Sequence, residues 1–600
     1  MKTAKILRFH SPNLPREDRT AWLRSASAAF LFIFAAQILL HISLLRLPYF
    51  WDEAGYYIPA ARDVLLTGSL IPSSTLSNAH PPLVMAWLAL WWKIFGFHPI
   101  TTRIAMLAIA SFAAVGLFRL AVQVANWRVG VAAVVCTAFY PVFFAQSSLA
   151  HLDMAAAGFT LWGLSYYLRD RVVQTAVFFS LAALCKETAI LAPLALIFWE
   201  LVGFAWKWRS GDHKFWLFSP SVCRIIWLML PVIPLAAWFG WHYHRTGFVF
   251  GNPEFFQYNL GGTLHPARFF AALAIRAWQL LGYMNMFVLV AATWLAMGRP
   301  PLKVEGKAAA SGSNGGGAIE RGRIAVPVQL VFVVLILAYA VAVSVLGGAV
   351  LARYLLPVYP LIILMGVSTI WRRIPWWQAF LGVVCAAFVL ALVTDPPYRA
   401  APEDNLGWAK FVRIHQQAAQ VIETRFASGP ILTAWPASDE LTKPFLGYVS
   451  EPVPVMRVEN FSAQQMLAVR NTPLSYEAAL VFSTKYEPLS GYFIRLSRWD
   501  DFLARYFDYH RDLPPEVVAE MLGGRVVWAN RIGGEWAAVI AFDRPVNARG
   551  ELPASEDKCR ITNHLGARRQ GIKDLHGTPP PYFCKILKTG WLPRGVFVKY

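Results

Sequence analysis

"PPLVMAWLALWWKIFGF", residues 81–97, holds about 13 apolar positions and one cation, Lys93. A helix needs roughly 20 apolar residues to cross the hydrocarbon core of a bilayer, and shorter runs more often lie at the interface or re-enter. Whether this run crosses decides the side on which every later loop falls. The other apolar runs, at 25–46, 102–124, 129–149, 152–168, 172–185, 188–206, 222–242, 283–298, 326–348, 354–371 and 376–394, read as spans. With 81–97 lying flat and the amino terminus inside, the cytoplasmic connections become "NWR" (126–128), "RDR" (169–171), "KWRSGDHK" (207–214), 299–325 and "WRR" (371–373). All five are basic, as the positive-inside bias requires, whereas a crossing run would put the later ones outside. The expected fold is a polytopic α-helical membrane protein of about 11 transmembrane helices, with interfacial helices in a first outer loop at 47–101.

Composition agrees with this. Of 600 residues 56% are hydrophobic and only 15% charged, with 25 Trp and 41 Phe, far more apolar than a soluble domain. The net charge of +20 is distributed as short clusters between apolar runs, so it argues for cytoplasmic loops and against nucleic acid as a partner. Six cysteines stand singly, two of them (Cys559 and Cys584) near the carboxyl end, and none has the spacing of a disulfide framework or a zinc site. The basic stretch 1–24 runs into an apolar segment too long for a signal peptide core and without a small-residue cleavage site, which reads as an uncleaved first helix.

Residues 299–325 are Gly/Ser/Ala-rich and basic, the composition of a flexible cytoplasmic linker. After Asp395-Pro-Pro the chain changes character: ordinary polarity, no apolar run long enough to span, and short β-like runs such as "GPILTAWPASDEL", "YEAALVFSTKYEP" and "GGRVVWANRIGGEWAAVIAFDR". The expected organisation is a membrane domain over 1–395, an extracytoplasmic α/β domain over 396–545 and an irregular basic tail over 546–600.

The same topology sorts the ionisable residues. Asp52, Glu53 and His80 fall in the first outer loop, Asp153 in the second, Lys186 and Glu187 in the third, and Arg353 at the outer start of a late helix. Each has a plain alternative. Asp52 and Asp153 could cap helices, His80 could be an ordinary loop residue, Lys186 and Glu187 could be a wetted pair at a helix end, and Arg353 could snorkel. Gathering on one face shifts the balance toward function, because ionisable groups at a membrane boundary cost several kcal/mol unless paired. The segment from Asp52 to Gly68 places Tyr56, Tyr57, Ala60, Ala61, Val64 and Leu65 on one helical face, as an interfacial helix would. Carboxylates beside cations suit transfer of a sugar from a lipid phosphate. A carboxylate takes the proton of the acceptor hydroxyl, cations balance the departing phosphate, and so weakly basic a leaving group needs little protonation, so that one base can suffice where a glycosidase needs an acid as well.

"DEAGYYIPAAR", "HPPL", "WKIFG", "TRIAMLAIAS", "HLDM", "LCKET" and "RYLLPVYP", in that order over about residues 20–370, resemble the protein O-mannosyltransferase and lipid A aminoarabinose transferase group. The resemblance implies a glycosyltransferase-C fold and a polyprenyl-phosphate sugar donor. It further implies Asp52 as catalytic base, with Glu53 and Asp153 as supporting acids. Aminoarabinose transferases typically carry an Arg and a Lys where this chain has Gly55 and His80. The phosphate ligands would then come from His80, Lys186, Arg353 or Arg62, with Tyr56, Glu187 and Tyr354 completing the expected substrate-binding set. The acceptor, a hydroxyl or phosphate on a lipid, glycan or protein, is left open, as is the sugar; no cofactor is certain, and a divalent cation is left open too. The implied location is a bacterial inner membrane with the site facing the periplasm or exterior. The competing classes are a secondary transporter, which would place its acids at mid-membrane in broken, repeated helices, and a lipid-binding membrane protein without transferase activity.

Overall fold

Residues 83–95 form a helix of 13 residues, Leu83–Phe95, closed by Gly96 at a positive φ of 83°. At 1.5 Å per residue it is about 20 Å long, short of a hydrocarbon core of about 30 Å. The structure is a computed structural model, and it describes residues 19–209, 220–251, 263–305, 318–346, 348–472, 475–486, 488, 497–507 and 509–542. The amino-terminal stretch, the basic tail over 546–600 and most of the loop 207–214 therefore lie outside the described residues.

By its contacts the chain divides into two units. The larger holds the chain up to Leu47 together with Tyr56–Trp408, and the smaller holds Pro48–Gly55 together with the chain from Ala409 onward. Among its described residues the larger unit is helical apart from one short hairpin. Five of its helical stretches are long and apolar enough to cross a membrane: Pro99–Val124, Glu187–Trp206, Ser221–Thr246, Pro266–Met297 and Val326–Val345. A sixth is made by Trp127–Phe139 and Pro141–Ser148 if that pair, bent by 72°, is one span. Shorter apolar helices are Ala26–Leu40, Leu83–Phe95, Val172–Cys185 and Trp377–Val393. A helical membrane protein thus stands; the count of about 11 drew on helices shorter than this measure of length accepts.

The bend has a local cause. Pro141 has no N–H to give to the preceding turn and holds its neighbour out of helical geometry, so Tyr140 takes φ −63°, ψ 124° and the helix restarts after it. Tyr140 wedges between the rings of Tyr359 and Phe388, at 4.9 and 5.2 Å. The second half is buried along its whole length and delivers the chain to His151 and Asp153.

Two expectations are altered. The span expected at 283–298 begins at Pro266, because Arg268 and Arg276 interrupt the hydropathy of a helix on which both arginines are buried. Their guanidinium groups satisfy backbone oxygens at the end of Val326–Val345 and just beyond: Arg268 donates to Gly348 (2.9 Å), and Arg276 to Leu351 (2.6 Å) and Val343 (3.2 Å). The helix breaks at Tyr283–Asn285, where Met284 and Asn285 are left-handed, and resumes to Met297. In the linker 299–325, Lys303–Glu305 pairs antiparallel with Ala318–Glu320. Arg321 donates to the Trp371 oxygen at 2.6 Å and Arg372 to Glu320 at 3.0 Å, so the ends expected to be flexible are strapped to the end of the helix Tyr359–Arg373.

The smaller unit contains a five-stranded sheet. Its strands are β3 (Ile431–Ala434), β4 (Val455–Val458), β5 (Ala478–Phe482), β6 (Arg525–Ile532) and β7 (Glu535–Ala541), after β1 and β2 of the linker hairpin, in the order β4-β3-β5-β7-β6. Strand β3 pairs parallel with β4 and β5, and β7 pairs antiparallel with β5 and β6. The β6–β7 hairpin turns on Gly533-Gly534, with Gly533 at φ 66°, the backbone freedom such a two-residue turn demands.

Candidate active site

Asp153 is the first residue of the helix Asp153–Tyr167, but its side chain does not cap that helix. Instead its Oδ1 accepts from Lys186 Nζ at 2.6 Å, and its Oδ2 lies 3.6 Å from Arg353 Nε. Lys186 reaches it because the helix Val172–Cys185 stops at Cys185 and Lys186 takes extended backbone. Arg353 is carried by the single turn Ala352–Leu355 and donates through Nη1 to Glu403 Oε2 at 2.8 Å. Asp153, Lys186, Arg353 and Glu403 are each 5% exposed or less, so the plain readings of a capping acid and a snorkelling cation do not describe them.

His151 and Gln146 complete this group. Gln146 Nε2 donates to the Glu403 backbone oxygen at 3.1 Å, which leaves its Oε1 to accept from His151 Nδ1 at 2.8 Å. Arg353 Nη1 lies 2.9 Å from His151 Nδ1 and 3.2 Å from Nε2, and with the proton on Nδ1 it is Nε2 that is left to accept. Burial, reinforced by Arg353, Lys186 and Arg103, holds the imidazole well below its usual range, so it is neutral.

Three cations surround one ring. Lys186 Nζ lies 4.2 Å from the centroid of Tyr354, Arg276 5.7 Å and Arg353 5.8 Å. Asp153, Glu403 and Asp404 are buried in the same unit, as are Arg103 and Arg268. Asp404 accepts from Tyr283 at 2.6 Å, and burial raises its carboxyl to about 6.

His80 and Glu187 form a second pair, Nδ1 to Oε2 at 2.8 Å. Tyr57 links it to the first group, its ring 6.0 Å from that of His80 and 5.9 Å from that of His151. The loop before His80 is fixed from the helix Val232–Thr246. Trp238 Nε1 donates to the Ala79 oxygen at 2.8 Å, and His242 Nε2 takes the Ser77 hydroxyl at 2.8 Å. Ala79 has φ 56°, a conformation a residue with a side chain adopts only when its surroundings impose it. Tyr56 and Arg62 are half-buried, on the π turn Glu53–Tyr57 and the helix Ile58–Thr67.

Asp52 and Glu53 belong to the smaller unit. Glu53 is fully buried, and its Oε2 accepts the Phe50 backbone N–H at 2.8 Å, which makes it a brace for the turn that carries Asp52. Asp52 itself is half-buried.

Sequence reasoning missed His151, Gln146, Arg276 and Glu403. Glu403-Asp404 is an acidic doublet just past the last apolar run, as Asp52-Glu53 is just past the first, and that parallel was available as a signal. Among the described residues no group of three or more His, Cys, Asp or Glu is placed to hold a metal ion.

No family model and no curated protein sequence matches the chain. Among solved structures it is similar to ArnT from Cupriavidus metallidurans in the apo state, at 16% identity and TM-score 0.48, over 88% of this chain and 99% of that one. The same protein bound to undecaprenyl phosphate matches at 16% identity and TM-score 0.46, over 89% of this chain and all of that one. The oligosaccharyltransferase AglB from Archaeoglobus fulgidus, in complex with an inhibitory peptide and a dolichol-phosphate, matches at 11% identity and TM-score 0.40, over 88% of this chain and 75% of that one.

Proposed function

We propose that the chain is an inverting membrane glycosyltransferase of the glycosyltransferase-C type. It moves a sugar from a polyprenyl-phosphate donor to an acceptor hydroxyl or phosphate on the extracytoplasmic face of a bacterial inner membrane. The observation that carries this reading is the buried group around Tyr354, where Lys186 and Arg353 share Asp153 and, with Arg276, stand about one ring. A lipid phosphate set beside those cations would be steadied most as its negative charge grows, when the bond to the sugar breaks.

In the reaction the acceptor oxygen gives its proton to a carboxylate and attacks the sugar's anomeric carbon. The bond from that carbon to the phosphate oxygen breaks, and its electron pair leaves on the phosphate. Asp52 is assigned as the base from its place in the sequence; Lys186 and Arg353 steady the phosphate, with Asp153 and Glu403 aiming them. His80 and Glu187 are assigned to the donor headgroup.

The test is transfer from a labelled polyprenyl-phosphate sugar by purified full-length protein. Asp52→Asn is expected to lose at least about 100-fold in kcat while still binding donor. Lys186→Met is expected to weaken donor binding by at least about tenfold. Unchanged transfer by Asp52→Asn removes it as base, and unchanged donor binding by Lys186→Met removes the phosphate site.

A further inference from the structure

The geometry points to Trp435, working against Gly55, as the positioning residue that fixes the direction of Asp52. The inference rests on the reading of Asp52 as base and adds a role for the carboxyl-terminal part of the chain: it grips the turn that bears the acid.

All the contacts lie within the smaller unit. Trp435 follows the last residue of β3, at the carboxyl end of a buried parallel strand. Its indole meets Trp51 edge to face, centroids 5.2 Å apart and planes at 85°. On the other side of the turn the same indole lies against Gly55. A Cβ added at Gly55 would come within 2.5 Å of Cζ2, 2.6 Å of Nε1 and 2.8 Å of Cε2 of Trp435, separations no side chain tolerates. The Gly55 backbone is not left-handed, so the indole, and not the backbone conformation, excludes a side chain there. Gly55 N–H closes the turn onto the Trp51 oxygen at 2.9 Å. Asp52 thus sits between two residues that one ring touches.

The ring is needed because the turn is strained. Trp51 has φ 42°, a conformation bulky residues avoid, and packing must hold it there. Besides Trp435, Phe411 supplies that packing, at 5.2 Å from Trp51 and 5.3 Å from Phe50. Phe411 in turn stacks on His415 at 3.9 Å, and His415 is tied to Glu440 at 2.6 Å, both fully enclosed. Tyr448 adds a hydrogen bond to the Tyr49 oxygen at 3.0 Å. The turn therefore rests on a rigid floor, and a small displacement of it moves the carboxylate of Asp52.

The experiment is a double-mutant cycle on full-length protein, reading kcat and donor KM from a labelled polyprenyl-phosphate sugar. Gly55→Ala is expected to lower kcat by at least about tenfold with donor KM held within about twofold, as a misplaced base would. Trp435→Ala is expected to lower kcat as well, and the double variant to match Trp435→Ala alone, because alanine at 55 meets nothing once the indole is gone. Trp435→Phe keeps an aromatic ring, guards against loss of folding, and is expected to lower kcat about fivefold with KM unchanged. Multiplying effects in the cycle, or wild-type kcat in Gly55→Ala, would overturn the proposal. Failure of the underlying reading looks different: Asp52→Asn would retain transfer while Gly55→Ala and Trp435→Ala still coupled in thermal unfolding.

Discussion

Asp404 carries a charge-linked property that can be measured without a substrate. Burial raises its carboxyl from an ordinary 3.8 to about 6, against the opposing pull of Tyr283 and of Arg353 and Arg276. The folded protein therefore holds this proton more tightly than the unfolded chain does. The contribution to stability is present below about pH 4 and is lost as pH rises through about 6. In thermal unfolding between those values, wild type is expected to lose stability relative to Asp404→Asn, whose amide keeps an oxygen for the Tyr283 hydroxyl. Identical pH dependence in the two proteins would show that Asp404 titrates normally. At this scale the sequence was informative about residue type and sparse about partners. Asp153, Lys186 and Arg353 stand out as ionisable groups at the ends of apolar runs, and the structure brings them within ion-pair distance. Glu403 and His151 carry no such signal, because their partners lie far away in the chain.

Elements gain their function here by being interrupted. The helix that stops at Tyr140 turns by 72° and hands Gln146 to the Glu403 backbone and His151 to Arg353; unbroken, it would carry them past. The run was legible as a span at 129–149, yet Pro141 in its middle announced the break. The helix Pro266–Leu281 was not legible, because its buried arginines bond to carbonyls from a distant part of the chain, a use no hydropathy window reveals. The tie from Trp238 to Ala79 gives a prediction at this scale. Trp238→Phe keeps the ring but loses a hydrogen bond worth about 1 kcal/mol, so backbone amides near 77–83 should exchange hydrogen about fivefold faster. Hydrogen exchange followed by mass spectrometry checks this, and exchange unchanged there would mean the loop is held by other contacts.

For the whole molecule, the orientation in the membrane rests on the short helix Leu83–Phe95 and the basic loops. Single cysteines at Ser69 and Arg171, both exposed, should react from opposite sides of sealed membrane vesicles, with Lys93→Cys on the side of Ser69. Labelling of all three from one side would remove the topology and the extracytoplasmic site with it. The sheet of the smaller unit left traces in sequence, since the runs quoted around 429–441, 476–488 and 523–544 contain β3, β5, β6 and β7. That Pro48–Gly55 packs with this unit left none, for contacts between residues some hundreds of positions apart have no local signature.

That long-range pairing also sets a schedule for biosynthesis. The floor under Trp51 is assembled from Phe411, Trp435 and the strands up to Ala541, all translated long after Asp52 emerges. At about 5–20 residues per second, the ribosome needs roughly half a minute to a minute and a half to get there. Until then Asp52 and Glu53 stand on a turn without its packing partners, and a product that ends before Phe411 never gains them.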